Sequence, residues 1–179
     1  MKKRGPWKII NSKVVYQNPW IRVEEDAVIR PDGKPGIFGV VSMIPGISVV
    51  PMDEKEHVYL TQEFHYAVGR VTIEAISGGI DIDESRLNAA KRELKEETGM
   101  SAKKWIYLGA VDPFTTVIKS PNYIYLAKGL IKGQSKLEGT EKIKVIRIPY
   151  KKALHLLKNN KITHSATVVA LLKIKEYIK

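Results

Sequence analysis

Three carboxylates carry the first sign of chemistry. Glu93, Glu96 and Glu97 stand at i, i+3 and i+4, so a helix brings all three to one face. Like charges held that close repel. Hard divalent cations such as magnesium or manganese relieve the repulsion, because they prefer oxygen ligands. Arg92 sets a fixed positive charge beside the group. Taken alone, the triplet reads better as a solvated acidic helix whose partners are Lys91 and Lys95.

The elements that must position these residues are legible in the pattern. Leu87, Ala90 and Leu94 recur at helical spacing, Gly99 follows as a C-cap, and a helix is expected over residues 84–98. Up to about residue 76 the chain reads as strands: Val14 to Tyr16, Ile21 to Ile29, Ile37 to Met43, Ile47 to Val50, Val58 to Gln62 and Val71 to Ile76. Asn18-Pro19 and Pro31-Asp32-Gly33 mark turns between them. More strands are expected at Trp105 to Val111, Tyr123 to Ala127 and Ile143 to Ile148. A helix begins near Pro149 and another runs from about Ser165 to Ile178. Strands, one helix, strands and then helices imply an α/β (α+β) fold, a mixed sheet with helices on its faces.

Composition narrows the function. The 179 residues are 44% hydrophobic and 27% charged, an ordinary globular mix without repeats or long linkers. The absence of cysteine excludes disulfides, thiolate nucleophiles and cysteine-zinc sites, and agrees with a reducing cytoplasm. The basic start Met-Lys-Lys-Arg is followed by no apolar signal region, and no apolar run nears the roughly 20 residues that span a bilayer. A soluble, cytoplasmic protein without a membrane partner is therefore expected. The net charge of +11 would suit polyanions, but the lysines are scattered and read as a solvated surface. His57, His155 and His164 show no metal-ligand spacing and read as surface or packing residues.

The segment from Gly78 to Met100 resembles the Nudix box: Gly, five residues, Glu, seven residues, then Arg-Glu-apolar-any-Glu-Glu-any-Gly-apolar. Gly78, Glu84, Arg92, Glu93, Leu94, Glu96, Glu97, Gly99 and Met100 meet every defined position. The resemblance implies a Nudix-type α/β/α sandwich in which a loop-helix-loop holds Mg2+ or Mn2+ against a diphosphate. Glu93 and Glu97 would be the main ligands, Glu96 would share a further ion, and the Ser77 carbonyl would add a backbone ligand. Arg92 belongs to the catalytic set by bracing the loop and helix, together with Glu84, rather than by touching substrate. Bound cations would neutralise the phosphate oxygens, and a carboxylate would take the proton of the attacking water.

Outside the box, three further stretches are similar to the ADP-ribose pyrophosphatase branch: residues 62–70, Glu74-Ala-Ile-Ser-Gly78, and the C-terminal part from Glu141 through Pro149 to the Ile162-Thr-His-Ser-Ala-Thr run. The resemblance implies hydrolysis of ADP-ribose or a related nucleoside diphosphate sugar to a nucleoside monophosphate and a sugar phosphate. It makes Glu141 the base, with Glu138 competing. Trp20 and Phe38 would sandwich adenine, one from each subunit of a homodimer, although ordinary sheet packing explains them equally well. Glu74 would meet substrate or a water, or pair with a lysine. His65 stands where the branch shows a phosphate-gripping arginine, with Arg70 as a substitute, and Thr115 stands where a proline is common. The resemblance also divides the chain, with residues 1–45 as a strand region used in dimerisation and 46–179 as the hydrolase domain. Two alternatives stay open: a nucleotide- or RNA-binding module without turnover, and a hydrolase of another diphosphate such as capped RNA.

Overall fold

A computed structural model describes residues 1–133 and 143–178. Its strands and helices follow in chain order. Before the acidic helix come β1 (Lys2–Arg4), β2 (Trp7–Gln17), β3 (Ile21–Ile29), β4 (Pro35–Met43), β5 (Gly46–Pro51), β6 (His57–His65), β7 (Arg70–Glu74) and β8 (Ile76–Gly79). Then come α1 (Arg86–Thr98), β9 (Ser101–Val111), β10 (Ile118–Lys119), β11 (Asn122–Ile131), β12 (Lys144–Pro149), α2 (Tyr150–Lys158) and α3 (Ser165–Lys173). Contacts group them into two units, one of Met1–Ile44 with Asp112–Ser120, the other of Pro45–Val111 with Pro121–Lys179.

In the first unit the turn residues set the pairing. The Asn18 side chain accepts from the backbone N–H groups of Trp20 (2.9 Å) and Ile21 (2.8 Å), which folds β2 back on β3. Gly33 adopts φ 82° in the next turn, a conformation that disfavours a side chain. The result is an antiparallel run β1-β2-β3-β4, with β10 added parallel to β4.

The second unit contains a four-stranded sheet of order β8-β5-β11-β9 and a three-stranded antiparallel sheet of order β12-β6-β7. The larger sheet is mixed, because β5 and β11 run parallel while the other pairs are antiparallel. Alternation along β5 sends Ile47 and Val49 into one apolar cluster with Ile76, Ala90 and Leu94 of the α1 side. Val50 and Leu126 join the other cluster, with Leu60, Ala170 and Leu171 of the α3 side. The α/β/α layering expected from the sequence is the one observed.

Boundaries differ in instructive ways. Helix α1 starts at Arg86, because Ser85 caps it by accepting from Asn88 N–H at 3.2 Å. The last helix stops at Lys173 and tightens into a 3-10 turn over Ile174–Tyr177. β1 and β10 carry no apolar alternation, and only backbone pairing identifies them. Among the described residues no helix is long and apolar enough to cross a membrane.

Leu94 is fully buried between α1 and the sheet. Leu94→Ala is expected to cost about 2–5 kcal/mol of unfolding free energy. Urea denaturation of the variant beside the wild type checks this.

Candidate active site

Helix α1 is fixed at both ends and along one face. Gly99 closes it in the left-handed conformation, φ 69°, with its N–H donating to the Lys95 carbonyl. Ala89, Ala90 and Leu94 face the sheet, and Glu97 is buried with them. Burying a carboxylate demands hydrogen bonds. Glu97 Oε1 accepts one from the Ser77 backbone N–H at 3.1 Å, which ties the helix to β8.

One residue further on, the Gly78 backbone and the Glu93 carboxylate approach closely. A Cβ built on Gly78 would overlap the Glu93 carboxylate. The glycine opening the acidic segment therefore leaves Glu93 its place, and a side chain there would push that carboxylate aside.

Arg92 organises the remaining charges. Its Nε and Nη2 donate to the two oxygens of Glu84, at 3.1 and 3.0 Å, in a bidentate fork. Nη1 donates to Glu93 Oε1 at 2.6 Å and Glu96 Oε2 at 3.1 Å, while Nη2 also reaches the Gly79 carbonyl at 2.9 Å. Glu84 in turn accepts from Asp81 N–H at 3.3 Å, which pins the loop before the helix. The Arg92 hydrogen bonds hold the Glu84 carboxyl below its ordinary pKa, and Glu84 raises that of Arg92. Arg92 is thus a cationic partner of both Glu93 and Glu96.

Among the described residues, no three His, Asp or Glu side chains close around one point, since Glu93 and Glu96 both turn towards Arg92. The donor set still suits one class of ion. Glu93, Glu96 and Glu97 and the adjoining β8 carbonyls offer oxygen ligands only, and the Glu93 carboxylate lies against the Cα of Gly78. These residues fit a hard divalent cation.

The other expected residues fall into two places. In the second unit, His65 and Arg70 face each other across β6 and β7. His65 Nε2 lies 3.3 Å from Glu74 Oε1, and Arg70 Nη2 donates to Thr163 Oγ1 at 3.0 Å. Glu74 pairs with two histidines rather than a lysine, because His164 Nδ1 stands 3.2 Å from its other oxygen. Burial lowers the His164 pKa, against the opposing pull of Glu74. Thr167 Oγ1, 2.9 Å from His164 Nδ1, accepts from Ala75 N–H at 2.8 Å. His164 and Thr167 escape sequence reasoning, since about ninety positions separate them from Glu74 and Ala75. The similarity of residues 162–167 to a pyrophosphatase segment was the one available signal.

In the first unit, Trp20 is 68% exposed at the β2–β3 turn. Phe38 sits opposite Asp26, five residues along β4 from Met43, the partner of Ile21. Trp20 and Phe38 therefore do not meet within one chain. The aromatic that Phe38 does meet is Trp7. Thr115 lines the same cavity as Phe38. Glu138 and Glu141 lie outside the described residues.

Comparison with known proteins bears on the family and the fold. Residues 43–170 match the family model of the NUDIX domain, and residues 7–41 match that of the nucleoside diphosphate sugar hydrolase N-terminal domain. A methanol dehydrogenase activator from Bacillus methanolicus is 25% identical, over 96% of this chain and 95% of its own. An ADP-ribose pyrophosphatase from Bacillus subtilis (strain 168) is 23% identical, over 96% of this chain and 95% of its own. A solved structure described as a crystal structure of ADP compounds hydrolase shares the fold with a TM-score of 0.83. It is 23% identical and covers 99% of this chain and 96% of that one.

The depressed Glu84 pKa has a measurable consequence. Its contribution to stability is complete above the ordinary carboxyl value of 4.5 and is lost as pH falls through the lower folded value. Glu84→Gln is expected to lower Tm at neutral pH and to lose less of the remainder on acidification. Thermal unfolding between neutral pH and about pH 3 checks this, and parallel curves for the two proteins would contradict it.

Proposed function

This chain belongs to the Nudix hydrolase family, and we propose that it cleaves the pyrophosphate linkage of ADP-ribose or a related nucleoside diphosphate sugar, using Mg2+ or Mn2+. The products are a nucleoside monophosphate and a sugar phosphate. The observation that carries the reading is the seat of Glu93 on Gly78, beside Glu96 and Glu97, on a helix tied to Ser77. The match of residues 7–41 to the N-terminal domain of nucleoside diphosphate sugar hydrolases supports the substrate class. So does the pyrophosphatase named among the full-length relatives.

Glu93, Glu96, Glu97 and the Ser77 carbonyl would hold the metal. When bound, divalent cations neutralise the phosphate oxygens and draw charge from the phosphorus under attack. Arg92 positions Glu93 and Glu96 and keeps the loop at Glu84 closed on the helix. A water oxygen bonds to phosphorus, the bond to the bridging oxygen breaks, and the water proton passes to a carboxylate. Glu141 or Glu138 is our candidate for that base. Arg70 and His65, on adjacent strands, are candidates to meet the anionic substrate, with Glu74 setting the orientation of His65.

A homodimer in the cytoplasm completes the reading. Exposed Val14, Val15, Tyr16, Trp20 and Ile37 give the first unit apolar surface of the kind that a second copy covers. The lack of cysteine agrees with a reducing compartment.

Purified protein with magnesium or manganese is expected to turn ADP-ribose into AMP and ribose phosphate, identified by mass spectrometry. Glu93→Gln should reduce kcat about a hundredfold or more while leaving the circular dichroism spectrum unchanged. A broad panel of nucleoside diphosphate compounds left intact by the wild type would overturn the proposal.

A further inference from the structure

On one face of the three-stranded sheet a carboxylate stands between two imidazoles. Register and two-residue alternation place Glu63 and His65 of β6 and Arg70, Thr72 and Glu74 of β7 on that face. The start of α3 and the residue pair before it meet this region at three points. Arg70 Nη2 donates to Thr163 Oγ1 at 3.0 Å, His164 Nδ1 lies 3.2 Å from Glu74 Oε2, and Thr167 Oγ1 accepts from the Ala75 N–H at 2.8 Å. The other carboxylate oxygen, Glu74 Oε1, is taken by the Thr72 hydroxyl at 2.6 Å and faces His65 Nε2 at 3.3 Å.

His164 is the informative residue. It occupies the N-cap position of α3, yet its side chain makes no cap bond. Two oxygens face its Nδ1 instead: Glu74 Oε2 and, at 2.9 Å, Thr167 Oγ1. A carboxylate oxygen only accepts, so a bare Nδ1 would set two lone pairs against each other. Nδ1 therefore carries hydrogen, in the neutral ring and in the charged one alike. Burial lowers the His164 pKa, which favours the neutral ring with a bare Nε2. The Glu74 side chain is only 13% exposed, so water replaces a lost donor poorly. His65 has a second carboxylate in reach, since Glu63 Oε2 lies 3.9 Å from the same Nε2.

We propose that His164 is a positioning residue for substrate binding: by donating its Nδ1–H to Glu74 it fixes the carboxylate that orients His65. Among the described residues, His164 is the side chain that holds Oε2, while Thr72 and His65 share Oε1. Loss of the His164 donor frees the carboxylate to turn about its last bond, and Glu63 then competes for the His65 ring. The carboxylates proposed to hold metal stand on α1 instead, so binding suffers more than the chemical step. This inference rests on the reading of His65 as a group that meets substrate, and adds the residue that sets its direction.

Steady-state kinetics on ADP-ribose with magnesium and NMR of the imidazole rings test it together. In His164→Ala, KM is expected to rise about tenfold while kcat stays within about twofold. His164→Asn should recover most of that loss, because the amide nitrogen of asparagine stands where Nδ1 does. His164→Gln should not, because its nitrogen stands where Nε2 does. Equal kinetics in the Asn and Gln variants, or a loss confined to kcat, would overturn the assignment. Nitrogen-15 spectra of the wild type should show His164 with hydrogen on Nδ1, and the His65 ring signals should shift in His164→Ala. Hydrogen on Nε2 alone, or His65 signals that do not move, would overturn it whatever the kinetics. The wild-type spectrum stands even if a variant does not fold. If the wild type leaves ADP-ribose intact, the hydrolase reading fails, and the spectra alone decide whether His164 sets His65.

Discussion

The proposed metal seat depends on keeping several negative side chains together against desolvation and mutual repulsion. One guanidinium does most of that. Arg92 spends its fork on Glu84 and its remaining donors on Glu93, Glu96 and the Gly79 carbonyl. Lysine, a single ammonium on a flexible stem, could not reach four acceptors in fixed directions. The loop before the helix, the helix itself and the end of β8 are therefore held by one planar group.

The second constraint is closeness. Glu97 is buried because β8 offers it the Ser77 N–H, and Glu93 lies over the Cα of Gly78. β8 is in turn fixed by antiparallel pairing with β5, whose Ile47 and Val49 are fully buried beneath α1. Core packing, strand register and carboxylate placement are thus parts of one arrangement. A shift of β5 by one residue would exchange its α1-facing and α3-facing side chains and move the backbone against which Glu93 rests.

Much of this was legible because the helix period imposes it. Glu93, Glu96 and Glu97 share a face at any orientation of the helix, and Arg92 adjoins them in sequence. The apolar positions Leu87, Ala90 and Leu94 likewise named the buried side of α1, since alternation and periodicity reflect burial directly. Contacts between distant segments were not legible. Nothing local couples Glu74 to His164, so a histidine read as a surface or packing residue proves to flank a carboxylate. The Trp7–Phe38 contact arises from β-sheet register across three strands, which no local pattern reveals. Strand β10, two residues long, exists only because β4 lies beside it.

Manganese binding followed by electron paramagnetic resonance addresses the central claim most directly, because it reads the carboxylate seat without requiring turnover. The wild type should bind the ion, and Gly78→Ala, which displaces Glu93, should bind it about tenfold or more weakly at nearly unchanged Tm. Equal manganese affinity in the two proteins would contradict the account, since the ion would then not depend on where Glu93 rests.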